Sequence, residues 1–365
     1  MPIRVALGIV IVVLGLWPGF IRAGSLDELM TAQPGFRPLQ GEVEVSADTM
    51  TRVIDLFGFR KDAGVDDSIG DYSGGHIKGG LALTRRLWVE GAIWKRGIKT
   101  PYDSGESIAL QGAAQFQLTL AKGNFPALAL RVSGWRDHAK EALKGSPTTI
   151  SAMGVSLTAD RVKVEGPSDR QGQLDLIATW ATPQNHSFSW FGGGGVSDVT
   201  FNNLYATIRG CEYVVGSSST NNLNGRLVSG DNGQCDVIDF DINRDDNAFP
   251  GPKLDIAYSS TYFQTGFNYQ WFNEVWRTRV GYRFMTLDRD VDAAVARTGK
   301  MVYDTNHFVT GELGYRPFSR IGFFVRGQMM RNQFVGDVPL AYNRFSAHKF
   351  NDPYGILSVG IMGGW

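Results

Sequence analysis

The chain has 365 residues, 36 basic against 36 acidic side chains, 12% aromatic residues and 45 glycines. A formal net charge of zero argues against a nucleic-acid-binding role, which normally brings a basic excess. So much glycine suits strands joined by many turns better than a helical protein, and no stretch after Ser25 is long and apolar enough for a helical membrane span.

The N-terminus reads as a secretory signal over residues 1–25. Arg4 opens it, an apolar run extends from Val5 to Trp17, Pro18 breaks the run, and Ala23-Gly24-Ser25 offers small residues for cleavage. The run is short against the ~20 residues of a helical span, so removal is expected rather than anchoring. No cysteine stands near the cleavage site, so a lipoprotein anchor is not expected. Residues 26–41, with Leu26, Leu29, Met30, Pro34 and Pro38, form either a periplasmic N-terminal tail or a small plug folded into a lumen.

From residue 42 to 365 the chain alternates apolar and polar residues with the period of two that marks strands. The pattern predicts strands near 42–57, 75–84, 86–97, 106–120, 126–136, 149–159, 171–180, 187–195, 199–210, 254–271, 275–287, 305–316, 320–332 and 354–365. Some connections are short, at Arg85-Arg86, Lys122-Gly123-Asn124, 272–274 and 317–319. Others are long and polar, at 59–73, 98–105, 137–148, 211–252, 288–304 and 333–353. Short turns on one side and long loops on the other are the layout of a bacterial membrane barrel. Two links break the rule: 160–170 is long for a turn, and 181–186 is short for an outer loop. With both ends of the chain on the turn side the strand number must be even, and the pattern predicts about 14, with 12 or 16 also fitting.

Period two alone does not separate such a barrel from a soluble sandwich. Aromatic placement does. Tyr269, Trp271 and Trp276 crowd the 272–274 turn, Tyr315 and Phe318 flank the next, and Trp365 ends the chain. Amphipathic rings gather in this way at a lipid–water boundary. The expected fold is therefore all-β, a transmembrane antiparallel up-and-down barrel in an outer membrane.

The layout of 42–365 resembles the Gram-negative outer-membrane β-barrel class and is porin-like in arrangement, without pointing to a narrower family. In the tail, Leu357, Val359, Ile361 and Trp365 share one face, which is similar to the terminal assembly signal of that class, although its commonest last residue is Phe. The resemblance implies recognition by the barrel-assembly machinery and a surrounding of outer-membrane lipid and lipopolysaccharide.

If the apolar side faces lipid, the interior receives Arg131, Asp175, Arg277, Arg279, Arg283, Glu312 and Arg326 as candidate pore-lining residues, with Glu312 near Arg279 and Arg326 across neighbouring strands. A charge on the lipid face would cost ~2–4 kcal/mol near the midplane, so these side chains must be wet or paired. Two readings stand. One is a water-filled channel for small hydrophilic, anionic solutes, favoured by the arginine excess. The other is a closely packed interior with a structural ladder of arginine and glutamate, serving an occluded structural or export-associated barrel.

Cys211 and Cys235 lie in the longest polar loop. Export to an oxidising space predicts a bridge between them. Asp239, Asp241, Asn243, Asp245 and Asp246 open like a calcium loop, but Arg244 replaces the turning glycine and Pro250 the closing glutamate. A strand with Phe240 and Ile242 on its other face explains the spacing equally well, and no metal or cofactor is expected. No enzyme is expected either. His186-Ser187-Phe188-Ser189 puts Phe188 where a lipid hydrolase of this class would place its serine, so imidazole and hydroxyl fall on opposite faces. His307 has no nucleophile after it, and His76, His138 and His348 fall in loops or at strand ends. The run Gly192-Gly193-Gly194-Gly195 lacks the lysine and helix of a phosphate cradle and reads as a place of close approach or a kink.

Overall fold

The computed structural model describes residues 29–32, 35–50, 72–99, 104–119, 125–145, 147–152, 155–182, 184–230, 235, 239–244, 249–318, 320–331, 342–344, 347 and 354–365. The signal segment, Leu26, Pro34, residues 51–57 of the first strand, the 122–124 turn, Asp245, Asp246 and His348 lie outside them.

Twelve antiparallel strands close into a barrel. In wall order they are β1 (Gly41–Met50), β2 (Tyr72–Ala82), β3 (Leu87–Lys99), β4 (Ser104–Thr119), β5 (Ala127–Lys144), β9 (Ser168–Ala181), β10 (His186–Thr200), β15 (Tyr258–Phe272), β16 (Trp276–Arg289), β17 (Thr305–Tyr315), β18 (Ile321–Arg331) and β19 (Tyr354–Gly364). The last pairs with the first from Glu42↔Gly364 to Met50↔Ile356, leaving no raw edge for a bilayer to meet.

Two of the fourteen segments expected from pattern lie outside the wall. Residues 149–159 form a separate hairpin of β6 (Thr148–Ala152) and β7 (Val155–Ala159). Residues 199–210 finish β10 and then run into β11 (Asn203–Ile208), which belongs to a loop sheet with β8 (Arg161–Glu165), β12 (Cys211–Gly216), β13 (Asn222–Ser229) and β14 (Asp239–Asn243). Twelve is the lower of the even counts that pattern allowed. Both irregular links are explained once these strands are set aside. Residues 160–167 sit inside the long outer loop between β5 and β9, and β9 and β10 are joined closely on the opposite side, Ala181 to His186. A hairpin inside a loop alternates like a wall strand, so period two cannot tell them apart.

The wall is apolar outside. Val45, Ile77, Ile108, Leu110, Val132, Leu174, Phe263, Val309 and Val359 are exposed, and Val280 and Val325 each keep 47% of their surface. Rings gather near the turn end, where Trp276 lies against Tyr315 at 4.8 Å and Trp180 and Phe188 are exposed on neighbouring strands. Leu357, Val359 and Ile361 project outward from β19, and Trp365 closes on Gly41 through paired backbone hydrogen bonds.

The loop end is covered. At the loop end, inward-facing Val199, Tyr258, Phe308, Met330 and Ile356 of five wall strands continue into a loop core of Leu223, Phe249, Leu254, Ile256, Val295 and Tyr342. That core includes the short helix α1 (Asp292–Arg297). Arg344 pins it from within, donating to the Phe249 carbonyl at 2.7 Å and to the Asp255 carboxylate at 3.0 Å. The bridge between Cys211 and Cys235 is formed in the same loop. Asp239–Asn243 is a strand paired with β13, with Phe240 and Ile242 packed on the loop core and Asp241 accepting from Asn222.

Candidate functional site

Alternation places every second side chain in the interior, and the interior is where the unusual chemistry collects. β16, β17 and β18 set Arg279, Glu312 and Arg326 opposite one another in register. Glu312 accepts from Arg277 at 2.8 Å, from Arg326 at 2.7 and 2.9 Å, and from both Nε (2.9 Å) and Nη2 of Arg279. Arg326 then forks onto both oxygens of Glu44 on β1, at 2.8 and 2.9 Å. β19 stands between, with Ser358 opposite Arg326 and Met362 opposite Glu44, and the small Ser358 and Gly360 leave room for the guanidinium to reach across. Glu44 continues to Lys78 at 3.5 Å and to His76 Nε2 at 2.9 Å, and His76 Nδ1 meets Asp48 at 2.8 Å. The result is a continuous belt of alternating charge along β16, β17, β18, β1 and β2. Charges removed from water persist only when paired and hydrogen-bonded in this way.

The opposite wall is satisfied differently. Arg131 pairs with Glu90, and Asp175 accepts from Gln173 at 2.6 Å and Gln264 at 2.7 Å. Arg283 lies over the Phe308 ring at 4.0 Å, and Arg96 lies over both Trp94 and Trp135. The glycine run has a steric purpose here. A side chain at Gly193 would strike the Leu174 carbonyl and Asp175, and one at Gly195 would strike the Tyr262 ring. All seven charged residues expected inside therefore point inward.

The short N-terminal segment also lies inside. The Met30 carbonyl accepts from Asn268 at 2.6 Å and the Thr31 carbonyl from Gln115 at 3.0 Å, while the Ala32 amide donates to Thr179 at 2.8 Å. Met30 and Ala32 pack with Ala127, Ala129, Ile177 and Phe191, Leu29 fills the space above Gly281, and Phe36 stacks on Trp88 at 5.4 Å. The segment that begins at Leu29 beside β15 and β16 thus reaches β3 by Phe36, near the turn end of the barrel.

Ser46, His76, Asp48 and Glu44 form a cluster that sequence reasoning overlooked by placing His76 at a strand end. The signal was present: Glu44, Ser46 and Asp48 alternate on one face of β1, and His76 lies directly opposite Ser46. The cluster has the composition of a nucleophilic triad but not its geometry. The serine oxygen is 2.6 Å from one ring nitrogen and 3.0 Å from the other, so it sits over the ring rather than in line with a lone pair. Both ring nitrogens face carboxylates, Nε2 that of Glu44 and Nδ1 that of Asp48, so neither is reserved for the serine hydroxyl. His186 bonds the Tyr269 hydroxyl at 2.6 Å, and His307 that of Tyr282 at 2.8 Å; neither engages a serine. Among the described residues no group of three or more His, Cys, Asp or Glu side chains is placed to hold a metal ion.

A closed even-stranded wall, apolar outside and polar inside, with short turns at one end and long loops at the other, defines an outer-membrane β-barrel. The turn end is then periplasmic and the loop cap extracellular. No protein-family model matches the chain, and no curated protein matches it in sequence. Among solved structures it is similar to the translocator domain of the autotransporter NalP from Neisseria meningitidis, at 10% identity over 92% of this chain and 90% of that one, with a TM-score of 0.46. It is also similar to the beta domain of the Bordetella autotransporter BrkA, at 7% identity over 89% and 99%, with a TM-score of 0.42. A third is the NanC porin, at 7% over 88% and 99%, with a TM-score of 0.41.

Proposed function

We propose that this outer-membrane barrel is closed at rest, a structural or export-associated wall protein whose capped outer face is its working surface. The observation that carries this reading is the threading of Met30, Thr31 and Ala32 through hydrogen bonds to three separate wall strands, in the same periplasmic third that the Arg279–Glu312–Arg326–Glu44 belt occupies. Bound carbonyls and a bidentate arginine leave little for a solute to displace cheaply. A second reading is favoured by the polar inner wall and its excess of arginine: a channel for small anionic solutes that opens when residues 29–36 leave the lumen.

Planar-bilayer recordings of the folded full-length barrel separate the two. The closed reading expects no steady current from it at low voltage, and persistent conductance would remove that reading. Deleting residues 29–36 should then open anion-preferring steps if the second reading holds, and a cation preference would contradict it. Neither reading includes catalysis. Lipid cleavage by the wild type that vanishes in His186→Ala or Ser46→Ala would overturn both.

A further inference from the structure

The outer surface of the wall carries one feature that the interior does not explain. On β5 the outward series Leu130, Val132, Gly134 gives way to Arg136, His138 and Lys140, all exposed. On β9 the matching outward residue is Arg170, also exposed, and the two arginines stand directly opposite each other in register. Like charges facing each other across an antiparallel pair destabilise it. Inside the barrel Arg131, Arg277, Arg279 and Arg326 are all matched to carboxylates, yet among the described residues neither Arg136 nor Arg170 has one. Asp198, which faces Arg170 from β10, accepts from Ser259 at 3.1 Å instead.

Height fixes what lies alongside. From Trp180 in the periplasmic ring of aromatics, β9 climbs to Arg170 at ~3.3 Å per residue with a tilt of ~40°, which covers the ~25 Å of an outer-membrane apolar band. The two guanidinium groups therefore point away from the barrel at the level of the outer-leaflet headgroups. Beside Arg170 opens a groove of about 640 Å³ bordered by Gly172, Val196, Asp198, Thr261 and Asp288. Nothing lies within 4 Å of where a Gly172 side chain would be.

We propose that Arg136 and Arg170, with Lys140 above them, bind the phosphate of an outer-leaflet phosphorylated glycolipid, whose sugar lies in the adjoining groove against Asp198 and Asp288. Paired guanidinium forks suit a phosphate's oxygens, and the bound anion turns the repulsion between the strands into a bridge. The inference rests on the outer-membrane class and is independent of whether the lumen is open.

The test is native mass spectrometry of the detergent-solubilised full chain titrated with bisphosphorylated diglucosamine lipid, with its dephosphorylated form, and with inorganic phosphate alone. The wild type should bind the phosphorylated lipid at least tenfold more tightly than the dephosphorylated one. Arg136→Ala/Arg170→Ala should lose that preference while keeping the heat-modifiable gel mobility of a folded barrel. Equal binding of the two lipids by the wild type overturns the proposal without reference to any variant. So does unchanged preference in the double variant, and displacement of the lipid by millimolar inorganic phosphate would reduce the site to a simple anion site.

Discussion

Glu312→Gln is the sharpest perturbation of the interior belt, because the substitution keeps the shape and removes only the charge. Glu312 accepts from Arg277, Arg279 and Arg326, and its side chain is fully buried. With the carboxylate gone, Arg277 and Arg279 lose the anion they share, while Arg326 keeps Glu44. Breaking a buried pair from one side costs ~3–5 kcal/mol, most of it the penalty of the charge left behind. With a urea dependence of ~1–3 kcal/mol per molar, the unfolding midpoint in lipid vesicles should fall by about 2 M. Glu106→Gln is the control, since Glu106 meets Lys95 at 3.4 Å with side chains 74% and 70% exposed, and an exposed pair contributes at most ~1 kcal/mol. Equal midpoints for Glu312→Gln and the wild type would refute the claim that the belt holds the interior.

The same geometry sets three further outcomes. Val325→Arg, in the middle of β18 on the lipid face, should cost ~2–4 kcal/mol in vesicle-folding titrations, and a cost near zero would place that face out of the bilayer. Gly193→Ala should destabilise the wall by ~1–3 kcal/mol, because the added methyl group presses on the Leu174 carbonyl and on Asp175; the same titration reads it, and a neutral result would deny the close approach. In the cap, hydrogen bonds from Asn203 at 2.8 Å and Tyr205 at 3.2 Å hold the Glu165 carboxyl below its ordinary range. A depressed value means stability present above ~4.3, the unfolded carboxyl value, and lost as pH falls through the lower folded one. Amide protection over Asn203–Ile208, corrected for intrinsic rate, should therefore drop below pH ~4 in the wild type and not in Glu165→Gln.

Much of the wall was legible because a barrel strand writes itself in period two. Val280 and Val325 outward, Arg279 and Arg326 inward, and the ring cluster at Trp276 and Tyr315 all follow from alternation and from what lipid tolerates. The contact of Glu312 with Arg279 and Arg326 was also readable, since short turns fix the register of neighbouring strands. What misled was equally local. Residues 149–159 alternate as a wall strand does, and only their pairing with each other reveals a hairpin inside a loop. Counting them in reversed the sides assigned to 160–170 and 181–186.

His76 was missed for a different reason. Its importance comes from β1, whose Glu44, Ser46 and Asp48 meet it only through the antiparallel pairing of β1 with β2, about thirty residues apart in the chain. Residues 26–41 could be read as tail or plug because they carry no strand periodicity; hydrogen bonds from Asn268 and Gln115 to backbone carbonyls, and from the Ala32 amide to Thr179, place residues 30–32 inside. Sequence by itself determined the class of this protein, since alternation, turn spacing and ring placement are each set by residues close together in the chain. Tertiary structure alone decided the strand number, the covered loop end and the charged belt, because closing a sheet joins residues such as Glu44 and Arg326 that stand 282 positions apart.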